Sequence, residues 1–370
     1  MPAPLVVSQL TLTNFRNHLD LRLRLSPVPV VITGPNGVGK TNILEAISLF
    51  VPGRGMCRAA PSEWQAQSDA APWAVVAELE GPSGGLKVAT GRDPASGSDR
   101  RIVQIDGRPI KNQQVLAEHV GMAWITPDMD RVLAEGPSAR RKLVDRMAFS
   151  FDPAHAGRVH RYEKAMRERL RLLREGIADA AWLSGLEDEM ARTGVAIAAA
   201  RLQLLRHLQT AIAETQSVFP TADLSLAGMA EEHLLHQPAL LVEDELRADL
   251  ARTRGEDAQS GTCAVGVHRS DLRVVHRKHG CPAELCSTGE QKALLVAIMM
   301  AYVRTLAATR QMMPLFLLDD ITAHLDRVRR EALFEEILAL GVQAWITGTD
   351  TDPFLAFLPR AQSIQLSDGS

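Results

Sequence analysis

One stretch constrains this chain more than any other: Val28-Pro-Val-Val-Ile32, then Gly34-Pro-Asn-Gly-Val-Gly39, then Lys40-Thr41. The β-branched run reads as a strand buried on both faces. Behind the loop, Ile43, Leu44, Ile47 and Leu49 recur at near-helical spacing. Strand, glycine loop and helix in that order place Gly34-x-x-x-x-Gly39-Lys40-Thr41 where a phosphate loop requires it. The glycines let several backbone N–H groups turn inward, and the positive end of the following helix adds to their field. Lys40 then balances phosphate charge, and the Thr41 hydroxyl is placed to ligate Mg²⁺.

The rest of the chain is consistent with an ordinary folding protein. Its 370 residues, 46% hydrophobic and 23% charged, exclude a mini-protein, a disordered chain and a collagen-like one. At roughly 150 residues per domain the length predicts two to three units. With 41 basic and 44 acidic side chains, the net charge of −3 argues for no particular partner. The excess of arginine over lysine fits either nucleic-acid contacts or the codon usage of the source. No apolar run near 20 residues and no basic, signal-like start are read, so a cytoplasmic protein without membrane attachment is expected. Cys57, Cys263, Cys281 and Cys286 contain no C-x-x-C pair. They read as reduced, mostly buried residues, with metal binding at Cys281 and Cys286 as the lesser alternative.

Residues 5–12 and 19–25 predict two strands around a polar turn, and 73–79, 86–90 and 101–105 predict an antiparallel sheet with a turn at Asp106-Gly107. From about Ser138 the texture turns helical, with Leu183, Leu186, Met190, Ile197, Leu202, Leu205, Leu208 and Ile212 recurring mostly at three- to five-residue steps. Residues 220–262 read as turn-rich and acidic, followed by strands at 262–267 and 271–275. A helix over 290–306, a buried strand over 314–318, a helix near 327–340 and a strand at 342–347 complete the chain. The α/β pieces flank the helical stretch. The expected division is therefore 1–145 and 262–370 as two lobes of one nucleotide-type α/β head, with 146–261 as an inserted helical arm.

Pro314-Leu-Phe-Leu-Leu-Asp319-Asp320 is an apolar strand that delivers two carboxylates at its C-terminal end, where ligands collect in parallel sheets. Asp319 is expected in the Mg²⁺ shell, and Asp320 is expected to orient or deprotonate an attacking water. About 30 residues upstream, Ser287-Thr-Gly289-Glu290-Gln-Lys292 opens a long apolar helix. It reads either as a second anion-binding helix start or as an ordinary capping box between Ser287 and Glu290.

Together, Gly34–Thr41, Ser287–Lys292, Leu317–Asp320 and Ala323-His-Leu-Asp326 resemble the Walker A, signature, Walker B and D-loop motifs of an ATP-binding-cassette ATPase. Five further stretches resemble the RecF family in particular. They are Leu12-Thr-Asn-Phe-Arg-Asn17, Asn42–Ala46, Gly136-Pro-Ser-Ala-Arg-Arg-Lys142, His268-Arg-Ser-Asp-Leu272 and Thr347-Gly-Thr-Asp350. They lie in the family's order over nearly the whole chain. The resemblance implies an ABC-type head, a mixed sheet with flanking helices and an antiparallel β-subdomain, akin to chromosome-maintenance and Rad-fifty proteins but with a short helical arm.

It also implies a weak, DNA-stimulated ATPase using ATP and Mg²⁺. Gly34, Pro35, Asn36, Gly37, Val38, Gly39, Lys40, Thr41, Asn42 and Arg16 would hold ATP, Thr41 and Asp319 the Mg²⁺, and Asp320 with Lys40 would act in hydrolysis. Ser287, Gly289 and Glu290 would reach the nucleotide of a second protomer, so ATP would drive homodimerisation; Asp326 and Thr349 would occupy the D-loop and switch positions. Implied partners are double-stranded, gapped and single-/double-strand junction DNA, RecR and RecO, and functionally RecA, in recombinational repair. Asp320 where most cassette ATPases carry Glu fits slow hydrolysis, and His324 departs from the usual D-loop.

Residues 139–175 carry an excess of six positive charges, so Arg140, Arg141, Lys142, Arg146, Arg158, Arg161, Lys164, Arg167 and Arg171 are candidates for DNA phosphates. The alternative is a solvated helix face with pairs such as Glu163–Arg167 and Arg171–Glu175. His268 reads as a structural hydrogen-bonder. Two rival functions remain: an SMC-like tethering ATPase, disfavoured by the short irregular arm, and a P-loop kinase or metabolic ATPase, which would leave Ser287–Lys292 unexplained.

Overall fold

The computed structural model describes residues 2–57, 59–66, 71–93, 101–177, 179–323 and 325–367. The chain forms two compact units. One comprises Met1–Asp130, Ser217–Phe219 and Met299–Ser370, the other Arg131–Gln216 and Pro220–Ile298. These boundaries differ from the divisions at 145/146 and 261/262 expected from sequence. The reason lies in the helix Pro137–Phe149, which packs on the strand Asp271–His276 and on the helices His155–Arg174 and Ala180–Glu214, all inside the second unit.

The first unit holds two sheets. The parallel one runs in the order Gln362–Gln365, Val30–Thr33, Ala344–Gly348, Leu315–Leu318, Met122–Ile125. Three central strands are wholly buried, which is why Val30–Thr33 and Leu315–Leu318 read as unbroken apolar runs. The antiparallel sheet runs His18–Arg24, Val6–Phe15, Ala74–Gly81, Gly84–Arg92, Arg101–Ile105, Arg108–Pro109. Asp106 and Gly107 make its last turn with φ of 48° and 75°, the two positive values that a two-residue hairpin turn needs. Phe15, Trp64 and Trp73 pack edge to face in the shared core. Buried Gln343 joins the sheets: its Oε1 accepts from the Val7 N–H at 2.8 Å, and its Nε2 donates to the Val7 and Ser26 carbonyls, each at 3.1 Å.

The second unit is mostly helical, with a 35-residue helix, Ala180–Glu214, and a small antiparallel sheet of Ala222–Ala227, Asp271–His276 and Cys281–Pro282. The supposedly turn-rich stretch contains the helices Met229–His233, Ala239–Arg252 and Arg254–Ser260. Residues 262–267, expected as a strand, are irregular. Arg169 is fully buried, bonded to Glu187 at 2.9 Å, to Asp257 at 2.6 Å and to the Leu250 carbonyl at 2.6 Å. A lone charge there would be prohibitive; two carboxylates and a carbonyl make it tolerable.

The helix Thr288–Arg310 is long and apolar enough to cross a membrane by composition, contrary to the absence of such a run read from sequence. It is mostly buried within the fold, the profile of a core helix.

Candidate functional site

The glycine loop leaves the buried strand Val30–Thr33 and enters the helix Lys40–Ser48, which buries Ile43, Leu44, Ala46 and Ile47. Gly39 precedes the helix at φ 102°, and a Cβ there would meet the Asn17 side chain at 2.4 Å and His18 Nε2 at 2.6 Å. Glycine is required at this point both by conformation and by space. Asn17 and His18 sit in the first hairpin, and they brace the loop: Asn17 Oδ1 accepts from Asn42 Nδ2 at 2.7 Å, and His18 Nε2 lies 3.1 Å from the Gly39 carbonyl.

Lys40 Nζ donates to the Gly34 and Pro35 carbonyls, both at 2.7 Å, so its charge is carried over the loop. The Thr41 hydroxyl donates to Asp319 at 2.9 Å, and the Thr347 hydroxyl donates to the same carboxylate at 2.8 Å. Thr347 Oγ1 in turn accepts the Asp320 N–H at 2.8 Å, and Asp320 holds φ at 49°. Thus three adjacent strand ends, at Thr33, Leu318 and Gly348, bring loop, carboxylates and threonine together. Burial pushes the Asp319 carboxyl above its usual range, opposed by the bonds from Thr347 and Thr41 and by Lys40. An acid held in this way gains from a nearby cation. Asn36, Gly37, Gly39, Lys40, Thr41, Asn42, Asp319, Asp320, Thr347 and Thr349 line one cleft with Pro127.

Not every expected residue lines this cleft. Arg16 is absent from that lining; its Nε is held by Glu45 at 2.9 Å, with φ at 58°. Thr349 lines the cleft and donates to Asp350 at 2.9 Å. Asp326 caps the helix Arg327–Leu340 through the Arg329 N–H at 2.8 Å. His324 lies outside the described residues. Gly289 stands in the first turn of Thr288–Arg310, where Glu290 Oε2 accepts from the Ser287 N–H at 2.9 Å and from Ser287 Oγ at 2.8 Å. The capping box is therefore formed. These bonds from Ser287 hold the Glu290 carboxyl below its usual range.

Among the candidate DNA contacts, Arg140 requires correction. It is buried, forks onto Asp271 at 2.7 and 2.8 Å and donates to the Leu133 carbonyl at 3.0 Å, which withdraws it from phosphates. Arg141 is half-buried and bonds the Ser270 carbonyl at 2.7 Å. Lys142 is exposed, Arg146 is half-buried, and Arg161 is exposed beside Glu189 at 3.2 Å. The helix-face pairs Arg167–Glu163 at 3.8 Å and Arg171–Glu175 at 2.7 Å both form. His268 is structural, between the Tyr162 hydroxyl at 2.8 Å and the Cys263 carbonyl at 3.0 Å. Asn17, His18 and Thr347 received no individual role from sequence, although Asn17 and Thr347 belong to two of the stretches that carry the family resemblance.

A phosphate-loop cleft on a parallel sheet, beside an antiparallel sheet, defines an ATPase head, and the comparisons agree. The RecF/RecN/SMC N-terminal domain family matches residues 6–355. The DNA replication and repair protein RecF of Mesorhizobium japonicum is 45% identical over 373 residues, covering 100% of this chain and 98% of that protein. Its counterpart from Allorhizobium ampelinum is 42% identical, covering 98% and 97%. The solved structure of the recombination mediator protein RecF-ATPrS in the RecFOR pathway superposes with a TM-score of 0.86 at 22% identity, covering 100% of this chain and 98% of that one. An SmcHead bound to the C-winged helix domain of ScpA gives 0.54 at 16% identity, covering 98% and 95%.

The fold is thus the SMC-head, ABC-type ATPase fold. Within that class the chain belongs to the RecF family.

Proposed function

We propose that this chain is an ATP-dependent DNA-binding protein of recombinational repair and replication-fork maintenance, whose ATP-bound dimer clamps gapped or junction DNA. The observation that carries this reading is the hydrogen-bonded set Thr41, Asp319, Asp320 and Thr347, which lines one cleft together with Lys40. Thr41 Oγ1 and the Asp319 carboxylate form an all-oxygen donor pair, which fits Mg²⁺. When bound, that ion supplies charge neutralisation for the phosphates. Lys40 exchanges the Gly34 and Pro35 carbonyls for phosphate oxygens, and the loop amides and helix start add their field. Asp320 orients the attacking water, and its short side chain accords with slow hydrolysis that resets the clamp.

Ser287, Gly289 and Glu290 act on the nucleotide of the second protomer, so ATP binding and dimerisation are one equilibrium. Lys142, Arg146 and Arg161 contribute salt-sensitive contacts to DNA phosphates. The protein works with RecR and RecO, a reading supported by the RecFOR pathway named for the solved RecF, and acts in the cytoplasm to help load RecA. Fluorescence anisotropy on gapped duplex, with ATP plus Mg²⁺, with ADP and without nucleotide, tests the reading. Tighter binding only with ATP, falling steeply with salt, is expected; affinity independent of nucleotide would overturn it.

A further inference from the structure

A second set of ligating side chains lies in the helical unit, and none of its members lines the cleft. The strand Asp271–His276 ends on His276, the turn that follows returns His279, and the first turn of Thr288–Arg310 supplies Glu290. One ligating atom from each lies within 4.8 Å of the others. The two imidazole rings have centroids 4.3 Å apart, and His279 Nε2 is 3.8 Å from Glu290 Oε1. That last separation is too long for a direct hydrogen bond.

His276 is only 5% exposed, and among the described residues its Nδ1 has no hydrogen-bond partner. A buried ring nitrogen without a partner is uncommon and asks for an explanation. Its backbone is fixed by pairing with Ala222 on one side and Cys281 on the other. The thiols of Cys281 and Cys286 are turned to the Pro282 carbonyl, at 3.5 and 3.6 Å, and are not part of this set.

We propose that His276, His279 and Glu290 bind a divalent transition-metal ion of the zinc class. Two imidazoles and one carboxylate suit Zn²⁺ or Co²⁺ far better than Mg²⁺, which prefers oxygen. Tetrahedral zinc with bonds of about 2.1 Å sets its ligands roughly 3.4 Å apart. His279 Nε2 and Glu290 Oε1 are already within about 0.4 Å of that spacing, and these two side chains, 50% and 32% exposed, are free to close on the anchored His276, from which the ligating atoms lie no more than 4.8 Å. Glu290 Oε2 is already committed to Ser287, so an ion on Oε1 fixes the side chain that positions the Ser287 hydroxyl. This last consequence rests on the role proposed above for Ser287; the metal site does not.

The test uses the full chain, stripped by chelator, then titrated with Zn²⁺ in competition with a chromophoric chelator and with Co²⁺ followed by its visible absorption. One equivalent per chain is expected, with affinity lowered at least about tenfold in His279→Ala, because even outer ligands cost that much. Circular dichroism confirms that this exposed position leaves the fold intact. His276→Gln is expected to lose the same binding. Substoichiometric binding by the wild type, or unchanged affinity in His279→Ala, would overturn the proposal.

Discussion

Asp145 shows how a single residue sets the behaviour of its surroundings. Burial alone would raise its carboxyl, but bonds from His155 and from the Arg201 fork, at 2.8 Å each, hold it down at about 2. A carboxyl titrating lower in the folded than in the unfolded chain contributes stability that is complete above its ordinary 3.8 and is lost as pH falls toward 2. Asp145→Asn is therefore expected to cost about 3 kcal/mol near neutrality, by leaving Arg201 with a broken buried pair. Urea midpoints should show that difference shrinking between about pH 4 and pH 2. Arg140 and Lys142 separate two roles that charge counting merges. Arg140→Gln should lower stability by about 3 kcal/mol without altering the salt dependence of DNA binding. Lys142→Gln should leave stability unchanged and reduce the slope of log affinity against log salt by about 1. In the sequence these residues were indistinguishable, because Asp271, which buries Arg140, lies 131 positions away. By contrast Lys40, Thr41 and Asp319 were legible, since loop spacing and strand ends announce themselves locally.

At the scale of elements, Ser287 and Glu290 form a capping box. Ser287→Ala should destabilise the start of Thr288–Arg310 by about 1 kcal/mol, measurable as faster amide exchange in its first turn. The strands Val30–Thr33 and Leu315–Leu318 and the Asp106-Gly107 turn were readable because each follows a local rule: a short apolar or β-branched run, or two residues that tolerate positive φ. The helix Ala239–Arg252 was not read, although Val242, Leu246 and Leu250 recur every four residues and are all buried. Its acidic composition masked that spacing. Residues 262–267 mislead in the opposite way: Cys263 and Val267 pack in the core, but Gly266 takes φ 125° and the His268 ring binds the Cys263 carbonyl, so the apolar run never pairs as a strand. The strand Gln362–Gln365 was missed for want of apolar residues; it completes the parallel sheet as an edge beside Val30–Thr33.

At the scale of the whole molecule, the chain's ends supply the parallel sheet and its cleft, while the intervening residues form a unit held by buried arginine clusters around Arg169 and Arg201. An expected boundary at 145/146 cut between Asp145 and its partners His155 and Arg201; only the three-dimensional pairing reveals that they belong together. The proposed function joins two copies through nucleotide, and its central claim is that ATP controls association. Analytical ultracentrifugation with ATP plus Mg²⁺, with ADP and without nucleotide measures this directly. The account predicts a dimer with ATP alone, lost in Lys40→Met, which removes the phosphate-facing charge, and in Ser287→Arg, which fills the trans contact. A monomer under every condition, or a dimer indifferent to nucleotide, would contradict it.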